Sequence, residues 1–405
     1  MEPENQPRAS KPASAMQDRE VQNWTGSPAP ASPPEQHPDP IRIFIGSGGL
    51  RAGWSLLIAM LLYRIIRIFL GSLTVATYPA IIDMDFSPTR AIIEESIPLV
   101  AMLAAGLFVA RIEQRKLLDF NLNGPRRLKH FISGIGAGFV ALSALVGVLA
   151  LGGWLRFGPI ALTGNQIFIF GALWAIAFLL VGCVEEGIFR CYLQSTLTRG
   201  INFWWAVGII SVLCLDLLFR SRGGVGIIAF FWPGVIPAVG GNCEWGVYAI
   251  ALLGLLPSFL LHARKTDGSN FWQAAWVTST AFGYFHTGNG GENWIGIFAA
   301  AFIGFVFCVS VRLTGAAWWA IGCHAAWDWG ETFFYGTADS GLMTKGHFLS
   351  STLAGNPIWS GGADGPEGSL LALAVVLLML AAMLVVYGRK KPEPQAGPAT
   401  ELLAD

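Results

Sequence analysis

Three short stretches place ionisable residues inside runs that are otherwise apolar. They are Glu185, Glu186 and Arg190 in VEEGIFR, His286 in AFGYFH, and His324, Asp328 and Glu331 in GCHAAWDWGET. An ionisable group at membrane depth costs several kcal/mol unless it is paired or faces water, so each is a candidate for chemistry. On an α-helix, with a step of about 100° per residue, Glu186 and Arg190 share a face, while Glu185 projects about 140° from Arg190. The adjacent carboxylates are therefore expected to divide their work. Glu186 is the partner that Arg190 neutralises, and Glu185, left in an apolar neighbourhood, is the better general base. The bland alternative is a helix end with solvated charges.

His324 and Asp328 are again four residues apart, and Glu331 extends the same stripe. A carboxylate one turn from an imidazole can fix its tautomer or share a ligand site with it. A single histidine in an apolar helix is usually just a satisfied core residue. Two of them, together with acids on a third segment, point to a constructed site. Phe282, one turn before His286, would pack on that ring or wall the cavity. The six cysteines include no CxxC pair and read as buried thiols.

The elements that must carry these residues are membrane helices. Of 405 residues, 53% are hydrophobic and only 13% charged, about half the charge of an average soluble domain. The mean hydropathy is +0.53. Twenty-six basic residues cancel 26 acidic ones, so nothing indicates a nucleic-acid partner. Apolar runs over 52–77, 91–110, 131–155, 165–184, 203–219, 226–241, 244–261, 271–286, 293–312, 315–334 and 369–388 approach the roughly 20 residues a crossing helix needs. The expected fold is all-α, a polytopic transmembrane bundle of about eight to ten spans, since some runs are short enough to be re-entrant. No internal repeat suggests the inverted halves of a transporter.

The first forty residues hold nine of the 22 prolines, and 1–48 reads as a disordered tail. It lacks the charged and apolar regions of a signal peptide. Residues 49–388 form the membrane domain and 389–405 a short polar tail. Arg111, Arg115, Lys116, Arg126, Arg127 and Lys129, and later Arg389, Lys390 and Lys391, mark the cytoplasmic side by the positive-inside rule. Both termini are then cytoplasmic, and a cell (inner) membrane is expected.

Taken in order, Glu185-Glu186-x-x-x-Arg190, Phe282-x-x-x-His286 and His324-x-x-x-Asp328 resemble the CPBP family, the type II CAAX prenyl endopeptidases and their bacteriocin-processing relatives. The resemblance covers about 90–335. It implies that Glu185 and His286 activate water, that Glu186 with Arg190 supports them, and that His324 and Asp328 stabilise an oxyanion or hold a metal. Two departures stand out. His286 lies 96 residues beyond Arg190, which implies an insertion within 203–261. Asp328 stands where many members have Asn, and an ionised carboxylate would repel an oxyanion. Glu185, His286, His324 and Asp328 would make an N/O set for zinc, although no HExxH spacing requires one.

The expected function is thus an intramembrane endopeptidase that hydrolyses a bond of a membrane-associated peptide or protein, using glutamate/histidine-activated water, metal-bound or not. The alternative from another class is a proton-coupled transporter using the same Glu/His set as a relay. The Gly/Pro-broken stretch 223–241 favours that alternative. An idle scaffold or immunity protein would have no evident reason to keep so many costly charges.

Overall fold

A computed structural model of the chain describes residues 43–46, 49–222, 226, 243–264 and 268–388. The chain divides after Arg42, and the described residues belong to the second unit. Most of the expected tail, the broken stretch 223–241 except Gly226, and the basic residues 389–391 lie outside them.

A minimal antiparallel pair, β1 (Ile45–Gly46) and β2 (Gly49–Leu50), precedes α1 (Ala52–Thr77). Then come α2 (Pro88–Ile112), α3 (Arg127–Leu151), β3 (Leu155–Ile160) and α4 (Asn165–Glu186). α4 runs through a π-helical segment, Gly187–Leu193, into α5 (Gln194–Gly200), giving 36 continuous helical residues. α6 (Phe203–Ser221) and α7 (Cys243–Arg264) occupy the segment read as an insertion. α8 (Ser269–His286), α9 (Trp294–Thr314) and α10 (Trp318–Trp329) follow, the last continuing into a second π-helical segment, Gly330–Tyr335. β4 (Leu349–Leu353) pairs antiparallel with β3, and α11 (Pro357–Ser360) and α12 (Leu370–Tyr387) complete the fold.

Helix starts follow local chemistry. The side chains of Ser87, Asn202, Asn293 and Ser369 each accept a backbone N–H at the start of α2, α6, α9 and α12, satisfying donors that the helix itself leaves unpaired. Among the described residues eight helices are long and apolar enough to cross a membrane, within the expected number, and the protein is an integral membrane protein. α8 and α10 are not among the eight. α8 carries Ser, Asn, Gln and Thr along its length, and α10 has only 12 residues. Both overlap the expected apolar runs, and both are largely buried helices that hold the histidines.

The bundle is built around α9. In its most apolar window 72% of residues are buried, against 11% in α1. Val306, Phe307 and Val309 of α9 pack with Trp319, Ala320 and Cys323 of α10 and with Val376, Met379 and Met383 of α12. α6 and α7 join through Leu213, Leu217 and Ile250, which meet Tyr284 of α8 and Ile297 of α9. The outer faces carry Leu57, Ile65, Phe69 and Leu378, all exposed, as suits a hydrocarbon solvent.

Lipid offers no hydrophobic drive for helices to associate, so close backbone approach must supply the attraction. α3 meets α10 in this way. A Cβ on Gly134 would overlap the Trp319 carbonyl, one on Gly138 the Cys323 carbonyl, and one on Gly322 the Phe131 carbonyl. The Gly134-x-x-x-Gly138 spacing thus seats the helix that carries His324 and Asp328.

Candidate active site

The first motif straddles the change from α-helix to π-helix. A π-segment spoils the regular i→i+4 ladder and is often found at functional sites. Here Asn121 Nδ2 donates to the Arg190 carbonyl at 2.7 Å, which anchors the segment to the loop after α2. The expected pair survives the wider turn, with Arg190 Nε 3.1 Å from Glu186 Oε2 and both side chains fully buried. The guanidinium also lies over the Phe282 ring at 4.2 Å and faces Phe307 at 5.4 Å, which favours a desolvated cation. Gly304 makes this possible, since a Cβ there would approach Arg190 Nη2 to 2.5 Å.

His324 connects the first and third motifs. Its Nδ1 lies 2.9 Å from Glu186 Oε1. A carboxylate shared with Arg190 only accepts, so Nδ1 carries the proton and donates. That contact turns Nε2 toward the other two acids, 3.4 Å from Asp328 Oδ2 and 3.8 Å from Glu185 Oε2. Glu186 is therefore more than a counter-ion to Arg190, because its second oxygen also sets the imidazole tautomer.

His286 ends α8. Its Nδ1 lies 2.8 Å from the Phe282 carbonyl oxygen, another group that can only accept, so in the neutral ring Nδ1 holds the proton and Nε2 the lone pair. The Phe282 ring is 4.6 Å from the His286 ring and 6.0 Å from that of His324. It packs on His286, as expected from its spacing, and against the Arg190 guanidinium.

Glu185, His286, His324 and Asp328 all line one cavity of about 430 Å³, together with Phe189, Phe282, Phe285 and Phe307. Six carboxylates face it: Glu94, Glu95, Glu185, Asp328, Asp339 and Glu367. Among the described residues, no lysine or arginine is in the lining. Glu94 and Glu95 were not singled out from the sequence, although the rule that flagged the motifs applies equally to two acids inside the second apolar run. Asp339 and Glu367 come from polar connections, where an acid carries no such signal. Glu331 departs from the expected stripe. The π-helical segment begins one residue before it, and its carboxylate joins those of Asp339 and Glu367, their ligand atoms all within 4.8 Å of one another.

A second cavity of about 570 Å³ has an almost wholly apolar wall contributed by α1, α2, the first π-segment and α6. It shares Phe189 and Phe285 with the acidic cavity, so two aromatic rings stand between them.

The sequence matches the family described as type II CAAX prenyl endopeptidase Rce1-like over residues 166–266 and 258–330. No curated protein and no solved structure gives a match. The matched stretch contains all three motifs, the long helix from the second residue of α4 through α5, and the histidine-bearing helices α8 and α10. Over this region, 166–330, the chain is similar to the Rce1-like type II CAAX prenyl endopeptidases.

Proposed function

We propose that this protein is an intramembrane endopeptidase that cleaves a membrane-associated peptide or protein inside the acidic cavity. Glu185 acts as general base on a water molecule, with His286 Nε2 as a second acceptor at the same cavity. His324 in its imidazolium form donates from Nε2 toward the position where negative charge develops on the scissile carbonyl, while its Nδ1 is held by Glu186, and Glu186 is itself fixed by Arg190. One observation carries the reading. Glu185, His286 and His324, from three separate helices, present themselves to one cavity, and the group behind them is a fully buried Glu186–Arg190 pair rather than solvent. General base catalysis of this kind contributes about 10²- to 10⁴-fold.

A zinc ion would draw on Glu185, His286, His324 and Asp328, and those donor types suit it. Among the described residues the ligand atoms that gather within 4.8 Å of one another are instead the all-oxygen set at Glu331, Asp339 and Glu367, so we assign water activation to the glutamate and histidines. The adjoining apolar cavity favours a substrate that carries a hydrocarbon chain, with the peptide crossing past Phe189 and Phe285.

By the positive-inside rule the basic loop after α2 is cytoplasmic, so α4 enters from the outer side and Glu185 lies near its inner end. Access is then from the cytoplasmic half. The test is a proteomic comparison of membranes containing the native protein and the Glu185→Ala variant. A peptide cut only by the native protein is expected. Proton-coupled flux without any cleavage would support a transporter instead.

A further inference from the structure

Beyond the site assigned to proteolysis, the carboxylates of Glu331, Asp339 and Glu367 gather at one point, with a ligand oxygen of each within 4.8 Å of the others. Glu331 is fully buried, and neither of its carboxylate oxygens has a hydrogen-bond partner. Such a group is costly unless something else compensates it. Among the described residues, none of the three acids forms an ion pair with Lys, Arg or His.

The surrounding chain holds the acids rather than shielding them from one another. Thr332 Oγ1 donates to Asp339 Oδ2 at 3.0 Å. Ser340 donates to Glu367 Oε1 through both its N–H, at 2.6 Å, and its hydroxyl, at 2.7 Å. Ser340 takes a left-handed φ of 45° to do so. Gly365, at φ 117°, lets the backbone pass where a Cβ would overlap the Ala338 carbonyl and come within 3.2 Å of Glu331 Oε1. At the same junction the Gly341 N–H donates to the Asp364 carbonyl, and the buried Asp364 has its own Oδ1 without a partner.

We propose that Glu331, Asp339 and Glu367 form a binding site for a calcium ion. The ligand set is all oxygen, with no imidazole or thiolate, which suits a hard cation and not zinc. Oxygens 4.8 Å apart or closer fit around an ion that takes them at about 2.4 Å, the calcium distance. The remaining positions are open to Asp364 and water. The ion ties the second π-helical segment to the loops before and after β4, and so to the start of α12. It neutralises charge at one end of the acidic cavity without taking part in the reaction assigned to Glu185.

The test uses the full-length protein purified in detergent and stripped with a chelator. Thermal stability and equilibrium binding of calcium are measured as calcium is added back, with magnesium in parallel. One calcium per chain is expected, with a saturable rise in Tm half-complete at or below about 10⁻³ M. Glu331→Gln should keep or raise the Tm of the stripped protein, because an amide replaces an uncompensated charge, and should lose the calcium response. Glu367→Gln, at a half-buried position, should weaken binding about tenfold or more, and it decides the question if the first variant does not fold. Absence of saturable binding, or an unchanged calcium response in the variants, overturns the site. An equal response to magnesium overturns the assignment to calcium. None of these readouts depends on cleavage, so a failure here leaves the protease reading standing, and the converse also holds.

Discussion

Where α4 meets α10, Glu186 divides its two oxygens between Arg190 and His324. A little further along the chain, Glu331 is just as deeply buried and has no partner for either oxygen. Glu186 immediately precedes one π-helical segment and Glu331 is the second residue of the other, and both belong to acidic groups that reach the same cavity. The first group contains its own cations, and its hydrogen bonds prescribe a tautomer. The second contains carboxylates and hydroxyl or amide donors only. A chain can fix a catalytic proton by building the counter-charge into a helix, and it can leave a stabilising charge to be supplied by a bound ion. The two strategies should respond differently to mutation, to pH and to added ions.

The largest effects should come from splitting the adjacent glutamates. Glu185→Gln is expected to lower cleavage about 10²- to 10⁴-fold with an unchanged Tm, because the amide keeps the shape but cannot take a proton. Glu186→Gln removes the partner of a fully buried Arg190, at a cost of about 3–5 kcal/mol, and should be seen first as a lower Tm or yield. Equal loss of activity at normal stability in both variants would erase the division of labour.

Asp328→Asn sharpens the difference between the two acidic groups. With water activated by Glu185 and His286, the amide removes a negative charge facing His324, and cleavage should stay within about tenfold of the native rate or rise. Parallel loss of activity and of bound zinc in the purified protein would restore the four-ligand metal site.

Gly138→Ala probes the seat of α10. The added methyl must push against the Cys323 carbonyl, at a cost of about 1–3 kcal/mol for overpacking. The displacement should reduce cleavage, and because α3 also packs on the π-helical segment that carries Glu331, calcium binding should weaken with it. A variant as active and stable as the native protein would argue that α3 and α10 have room to adjust.

The smallest effect expected is on pH. Burial, reinforced by the charge of Glu367, pushes the Asp364 carboxyl up to about 8. The folded chain therefore binds a proton there that the unfolded chain, titrating near 3.8, has already released. Its contribution to stability is complete below the unfolded value and is lost as pH rises through the folded one. In chelator the Tm should fall between about pH 4 and pH 8, and calcium should flatten the slope. Asp364→Asn should flatten it without any ion. A Tm that rises over that range would contradict the reading.

Much of the candidate site was legible in the sequence because its contacts are local. Glu186 with Arg190, His324 with Asp328, and Phe282 with His286 are each four residues apart, and helical periodicity alone puts each pair on one face. The π-helical turn after Glu186 altered the angles without separating the pair. Glu94 and Glu95 were equally visible as acids inside an apolar run, and applying the intramembrane-charge rule evenly would have found them. The link from Glu186 to His324 was not legible, because it joins helices 138 residues apart in sequence, and no periodicity reaches across that distance. The same holds for Glu331, Asp339 and Glu367. Two of them lie in irregular connections, where a polar residue is the ordinary choice, and only the interlocked loops at Ser340 and Gly365 turn their carboxylates together. Sequence by itself determined the solvent, the helices and the reactive residue types, since these depend on composition and on neighbours along one helix. Tertiary structure decided which buried charge found a partner and which did not, because that depends on groups meeting across the bundle.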